Sequence, residues 1–381
     1  MTLLHKKGDK SDPSNYRPIS LLSHTYKIFM KIMQRRLDKI LDANQPRDQA
    51  GFRKGFSTMD HIQVMNQLME KTREYNLPLY VAFVDYEKAF DSVKHKDLFA
   101  ALHNQGIRGK IYRLLELIYS KAKARIKLET LGRKFSVKRG VRQGDPLSPK
   151  LFSAVLEEVF RNCDWPDSVG LPIDGEILHC LRFADDLVLF SPNSEGLNKK
   201  IDELKHKGEE VGLKINFAKT KVMTNNIVTP ITSDGHDLEY VNEFVYLGQL
   251  VSFENRQDKE IGRRLQNAWK AFWKLRKYLT TKNIEMQHRR RLFDMCILPV
   301  MTYGSPTWSL TKRQQERLNV TQRAMERRML GITRKDKVRN EEIRRRTKVK
   351  DVVTEARNLK WSWAGHSFRP SVIVSSCQMT G

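Results

Sequence analysis

Asp85 directly follows an apolar run, LYVAFV (79–84), and an acidic pair, Asp185 and Asp186, sits inside ILHCLRFADDLVLF (177–190). The second segment reads as two apolar strand arms of a hairpin with the acids at its turn. Two adjacent carboxylates beside buried arms are costly, because charge loses hydration and like charges repel. A divalent cation offsets both effects, and magnesium usually takes one or two carboxylates plus substrate phosphates. If the strand ending at Asp85 neighbours the hairpin, three carboxylates could hold two metals about 4 Å apart, the clamp for in-line phosphoryl displacement. The same Asp–Asp pair is also an ordinary turn sequence, since Asp is favoured in turns.

The elements around these acids are legible from periodicity. Residues 26–41 place Phe29, Met33, Leu37 and Ile40 on one helical face. Ser57 reads as the N-cap of a helix striped by Ile62, Met65, Leu68 and Met69. Helices are expected at 95–104, stopped by Gly106, and at 110–120. Residues 124–128 and 134–138 alternate enough for a hairpin. Pro146 is expected to open a helix over 147–160, and 194–211 reads as a polar amphipathic helix. FVYLGQLV (244–251) reads as a strand. Beyond Lys259 the pattern is helical: Ile261, Leu265, Trp269, Phe272 and Leu275, then 285–297, 312–330 and 351–363. A mixed α/β body therefore precedes a helical region.

The motifs occur in a recognisable order. NYRPISLLSHTYKIFMKI (15–32) and QAGFRKGFSTMDHI (49–62) come first, then AFVDYEKAFDSV (82–93), GVRQGDPLSPKLF (140–152), FADD (183–186), GLKINFAKTK (212–221) and FVYLG (244–248). This series resembles the reverse transcriptases of non-LTR, LINE-like retrotransposons, from the fingers blocks through motifs A to E. The resemblance covers about residues 1–250 and, less sharply, continues in LPVMTYGSPTW (298–308) and LKWSWAGH (359–366). It implies an α+β right-handed polymerase whose palm is a split βαβ sheet, with a basic all-helical C-terminal region. The implied domains are fingers at 1–77, palm at 78–253 with a finger insertion around 107–140, and helical thumb plus extension at 254–381.

The resemblance also implies roles. Asp85, Asp185 and Asp186 become the catalytic metal-binding acids, for two Mg2+ ions or Mn2+. These would activate the primer 3′-hydroxyl and stabilise the leaving pyrophosphate. Arg53, Tyr86, Phe90, Gln143, Gly144 and Lys219 fall in the dNTP-binding set. Phe90 matches a steric gate against a 2′-hydroxyl, although an aromatic there is also a core residue. Gln143 braces the nucleotide and Gly144 permits close backbone approach, though Gly-Asp-Pro is equally a turn and helix cap. Arg53 is a triphosphate clamp. Lys219 is a general acid for pyrophosphate, with Lys221 competing. Asp91 reads as a helix-start or supporting acid. Tyr246, Leu247 and Gly248 resemble a primer grip, or an ordinary strand end.

Composition agrees. The 381 residues hold 69 Lys+Arg against 44 Asp+Glu, a net charge of +25, with a pI of about 9.9. Residues 1–250 carry 39 basic and 32 acidic residues, whereas 251–381 carry 30 and 12, so the excess lies in the last third. Such a surplus suits a polyanion, nucleic acid before an anionic membrane surface. Arg263, Arg264, Lys270, Lys274, Arg276 and Lys277, then Arg289 to Arg291, then Arg344 to Arg346, form basic runs that suit phosphates or are plain solvated helix faces. Cys163, Cys180, Cys296 and Cys377 form no CxxC pair, which argues against a zinc ribbon and a disulfide framework. No signal peptide or eighteen-residue apolar span is present, so a nuclear or cytoplasmic protein is expected.

The expected partners are template RNA, a DNA primer and dNTPs, with no membrane; oligomeric state is open. Alternatives are a group II intron maturase, which often carries a cysteine-bearing nuclease module, and a non-catalytic nucleic-acid-binding remnant. The first fingers block starts near Met1 and leaves no length for an endonuclease, while residues 371–381 carry no charge. A truncated copy is the resulting expectation.

Overall fold

The run Tyr80–Val84 is apolar at every position, and every one of its residues is buried. A strand covered on both faces needs such a run. It forms the middle of a five-stranded sheet in the computed structural model, which describes residues 1–6, 8–173 and 175–367. We number the strands β1 (Tyr80–Val84), β2 (Cys180–Phe183), β3 (Asp186–Ser191), β4 (Lys221–Thr224) and β5 (Glu239–Tyr240). Their spatial order is β5-β4-β1-β3-β2. β1 pairs antiparallel with β3 and β4, β2 antiparallel with β3, and β5 parallel with β4. Helices Ser148–Arg161 and Ser194–Val211 connect β1 to β2 and β3 to β4, the split βαβ arrangement.

Contacts divide the described residues into two units, residues 1–58 with 71–241, and 59–70 with 242–367. The sheet belongs to the first. Its core joins Tyr80, Ala82 and Val84 to Leu187 and Leu189, and to Leu151, Phe152 and Val155 of the helix Ser148–Arg161. The second unit is mainly helical: Arg256–Lys274, Met286–Cys296, Lys312–Leu330, Asn340–Thr347 and Val352–Ser367. Ile261, Phe272, Phe293, Met301, Leu318 and Met325 are fully buried in its core. In this division the segment 244–251 groups with the helices.

That segment is not one strand but a hairpin, Phe244–Tyr246 against Gln249–Val251. Leu247 (φ 44°) and Gly248 (φ 76°) make a two-residue left-handed turn. Leucine is a poor turn signal, which hid the reversal. The helix expected to open at Pro146 starts instead at Ser148, with Pro149 in its first turn, and Asp145 accepts from Leu147 N at 2.9 Å. Of the hairpin expected across 124–138, only Lys123–Ala124 and Phe135–Ser136 pair. No described helix is long and apolar enough to cross a membrane. The uncharged segment 371–381 lies outside the described residues.

Candidate active site

The acids meet through strand pairing. Phe183 pairs with Asp186, so Ala184 and Asp185 alone form the β2–β3 turn. Val84 pairs with Leu187, and one further step of that antiparallel register sets Asp85 opposite Asp186. Ala184 takes a left-handed φ of 60°, a conformation that alanine adopts only under constraint. The constraint is the segment 48–51. Arg182 N donates to Asp48 O (2.8 Å) and Ala50 N to Arg182 O (2.9 Å). Gln49 Oε1 accepts from Gly51 N (2.8 Å) and Ala184 N (3.3 Å). Gly51 lies so close to Ala184 that a Cβ would overlap its peptide nitrogen.

The proximity of the acids is visible in their proton affinity. Burial raises the Asp186 carboxyl to about 6, helped by Asp185 and Asp85. Asp185 is also raised, first by burial and then by Asp85, while Arg17 and Lys6 oppose the shift. Both side chains retain solvent-accessible area, so a recess thins their hydration without sealing them off. Lys219 Nζ lies 3.1 Å from Asp85 Oδ2. Among the described residues, no group of three or more His, Cys, Asp or Glu is arranged to hold a metal ion. The donors at this turn are hard carboxylate oxygens whose repulsion favours a divalent cation, and they fit magnesium or manganese.

Asp85 and Asp185 line a cavity of about 820 Å³ with Tyr86, Phe90, Asp91, Gln143, Gly144 and Lys219, within the range of small-molecule sites. The Phe90 ring stacks on Phe152 (centroids 4.5 Å apart) and meets Phe52 edge-on. Gln143 Nε2 reaches both Asp91 oxygens. Gly144 has φ 103°, and a Cβ there would stand 3.0 Å from Ser20 O, so that backbone does approach closely. Tyr86 is largely buried in the core and its hydroxyl has no hydrogen-bond partner. Lys6, Arg17, Lys88 and Arg142 also line the cavity. Sequence reasoning missed Lys6 and Arg17 as site residues. Their signal was the pairing of Thr2–His5 with Tyr16–Ile19, two short strands that carry no strong periodicity.

Other expected residues lie elsewhere. Arg53 does not line the cavity; it donates to Pro46 O and Gln49 O (2.9 Å) and covers the Phe56 ring. Lys221 pairs with Glu239 at 2.6 Å, which leaves Lys219 as the lysine beside Asp85. In the second unit, Tyr246 is buried, with His61 Nδ1 3.3 Å from its hydroxyl. Leu247 O accepts from Tyr303 OH at 2.6 Å, and Gly248 O accepts from Arg263 and Arg264.

Several arginines of the basic runs serve structure. Arg264 pairs with Glu260, Arg289 donates to Met329 O, Arg344 pairs with Asp351, and Arg345 and Arg346 with Glu342. Lys270, Lys274, Arg276 and Lys277 remain exposed.

Residues 4–251 match the family described as reverse transcriptase (RNA-dependent DNA polymerase). The chain belongs to that family. A transposon-derived protein of Caenorhabditis elegans is 37% identical over 207 residues, covering 52% of this chain and 74% of that one. The Pol polyprotein of a type-1 R2 retrotransposable element from Nasonia vitripennis is 29% identical, over 65% of this chain but 25% of its own length. A probable RNA-directed DNA polymerase from transposon BS of Drosophila melanogaster is 25% identical over 85% of this chain and 37% of its own length. This reverse transcriptase family member thus matches about a quarter of one of those two longer relatives and somewhat over a third of the other. An apo telomerase structure from Candida Tropicalis aligns over 90% of the chain and 60% of its own, at 13% identity and a TM-score of 0.47, too loose a likeness to bear on mechanism.

Proposed function

We propose that this chain is an RNA-directed DNA polymerase of a non-LTR retrotransposon, which adds dNTPs to a DNA primer 3′-hydroxyl on an RNA template. The observation that carries this is the β1/β3 pairing: it brings Asp85 to the Asp185–Asp186 turn at a cavity that also holds Phe90 and Gln143. In this reading residues 1–77 are fingers and 78–253 the palm, with a finger insertion near 107–140. The residues from 254 onward are thumb and extension.

Asp85, Asp185 and Asp186 would hold the divalent ions, two Mg2+ or Mn2+. Bound there, such ions supply Lewis-acid stabilisation of attacking and leaving oxygens in an in-line displacement. The protein's part is positioning. Phe90, backed by Phe152, presents a ring where a ribose 2′-hydroxyl would project. Gln143 and Gly144 form the wall against the nucleotide sugar. Lys6 and Arg17 supply positive charge for the triphosphate, and Lys219, beside Asp85, would protonate the leaving pyrophosphate.

Primer extension on poly(rA)/oligo(dT) with magnesium tests this. The wild type extends, and Asp185→Asn lowers the rate by at least about 1,000-fold, as loss of charge stabilisation at a reacting centre does. Binding without extension by the wild type would instead mark a non-catalytic nucleic-acid-binding remnant.

A further inference from the structure

Asp91 and Gln143 come from separate segments that the backbone clamps together. Gly140 N donates to Val93 O and Val141 N to Phe90 O, both at 2.7 Å. Ser20 N donates to Gln143 O at 2.9 Å, so the Gln143 main chain is fixed as well. Its side-chain Nε2 then lies 3.2 and 3.3 Å from the two Asp91 oxygens. An ionised carboxylate only accepts hydrogen bonds, so the amide must turn its NH2 toward Asp91. The amide oxygen is left for other partners. Burial raises the Asp91 carboxyl, and the Gln143 hydrogen bond, Lys88, Lys6 and Arg17 pull against that rise toward the charged form.

We propose that Asp91 is a positioning residue: it locks the Gln143 amide so that Oε1, an acceptor, is offered to the sugar of the incoming nucleotide. This rests on the polymerase reading above. A deoxynucleotide sugar has one hydroxyl donor, at its 3′ position. Asp91 therefore makes the 3′-hydroxyl a recognised group, although it does not touch the nucleotide. A site that hydrogen-bonds a substrate hydroxyl rejects the analogue lacking it, because its acceptor is then left unpaired. If Asp91 could donate, the amide could turn over and offer a donor to a donor.

The test is single-nucleotide incorporation of dTTP and of ddTTP by the full chain on poly(rA)/oligo(dT), for wild type, Asp91→Asn, Asp91→Glu, Gln143→Met and the Asp91→Asn/Gln143→Met double variant. In Asp91→Asn the preference for dTTP over ddTTP is expected to fall about tenfold, with the loss in KM for dTTP rather than in kcat. Asp91→Glu, which still only accepts, restores part of the preference. Gln143→Met shows the same collapse, and adding Asp91→Asn to it changes nothing further.

An unchanged dTTP preference in Asp91→Asn, or additive losses in the double variant, overturns the proposal while leaving the polymerase reading intact. Should Asp91→Asn lose its cooperative unfolding transition, Gln143→Met decides alone: a retained preference overturns the proposal. A wild type that never extends overturns both.

Discussion

The Lys219 ammonium lies 3.1 Å from Asp85 Oδ2, at the rim of the cavity that also holds Asp185. The pair joins the loop before β4 to the end of β1, two adjacent strands of the sheet. Lys219 is more than half exposed, so the ion pair contributes little to folding, about 1 kcal/mol or less. A role in proton transfer is a different matter. Lys219→Ala is expected to lower the single-turnover extension rate by about 100-fold with an unchanged melting temperature. A full-rate variant removes Lys219 from the chemistry.

Phe90 both packs and lines the cavity: its ring stacks on Phe152, and in the proposed reading it is also the gate against a 2′-hydroxyl. Phe90→Ala is expected to narrow discrimination between dTTP and UTP by at least about tenfold, and to cost about 1–3 kcal/mol of stability as a half-buried aromatic. Competition between the two nucleotides in primer extension reads the first, and urea unfolding the second.

Gly51 is needed for closeness rather than for an unusual backbone angle. Its Cα rests on the Ala184 peptide, where a methyl group has no room. Gly51→Ala pushes the acidic turn away from the segment 48–51. The expected cost is about 1–3 kcal/mol, with a larger loss of extension activity than that destabilisation explains, because Asp185 and Asp186 are displaced from Asp85. Denaturant midpoints measured beside extension rates separate the two effects.

Arg182 supports the same turn from beneath. It is buried, with Nη2 2.9 Å from Asp48 Oδ1 and Nη1 3.0 Å from Glu157 Oε2, and its guanidinium covers the Phe160 ring. Arg182→Met removes the buried cation that Asp48 and Glu157 share, and leaves Glu157 with Arg161. Such losses cost about 3–5 kcal/mol, visible as a fall in melting temperature at pH 7.

Lys200 gives a pH signature. Fully buried, it donates to Phe190 O at 2.7 Å, and burial lowers its ammonium from 10.5 to about 8. Between pH 8 and 10.5 the unfolded chain holds the Lys200 proton more firmly than the folded one, so stability from this group rises with pH across that window. Below pH 8 the full cost of the buried charge is present. Relative to Lys200→Met, the wild type should gain about 3 kcal/mol from pH 8 to 10.5. A flat difference across that range refutes the assignment.

Much of the site is legible in the residues alone. Asp85, Asp185 and Asp186 stand out because acids beside apolar strand runs break a local rule. The helices at 95–104, 194–211 and 312–330 are legible to the residue from periodicity and their flanking glycine and cap residues. The hairpin at 244–251 is not, since its turn uses a leucine at positive φ, and the bonds on the turn come from outside it: Tyr303 to Leu247 O, and Arg263 and Arg264 to Gly248 O. The charge excess is equally ambiguous. A run of arginines looks the same whether it faces solvent, like Arg276, or is spent on Glu260, like Arg264.

By itself, then, the sequence determined which chemistry is available: hard oxygen donors, an aromatic ring, an amide and cations in an order that marks the family. Only tertiary structure decided which of these meet. Strand register placed Asp85 against the Asp185–Asp186 turn and brought Lys6 and Arg17 to the cavity. It left Arg53 bound to backbone carbonyls and Tyr86 largely buried. The reason is physical: local pattern sets which face of an element is apolar, but long-range pairing and burial set which polar atoms share one space and still have a partner.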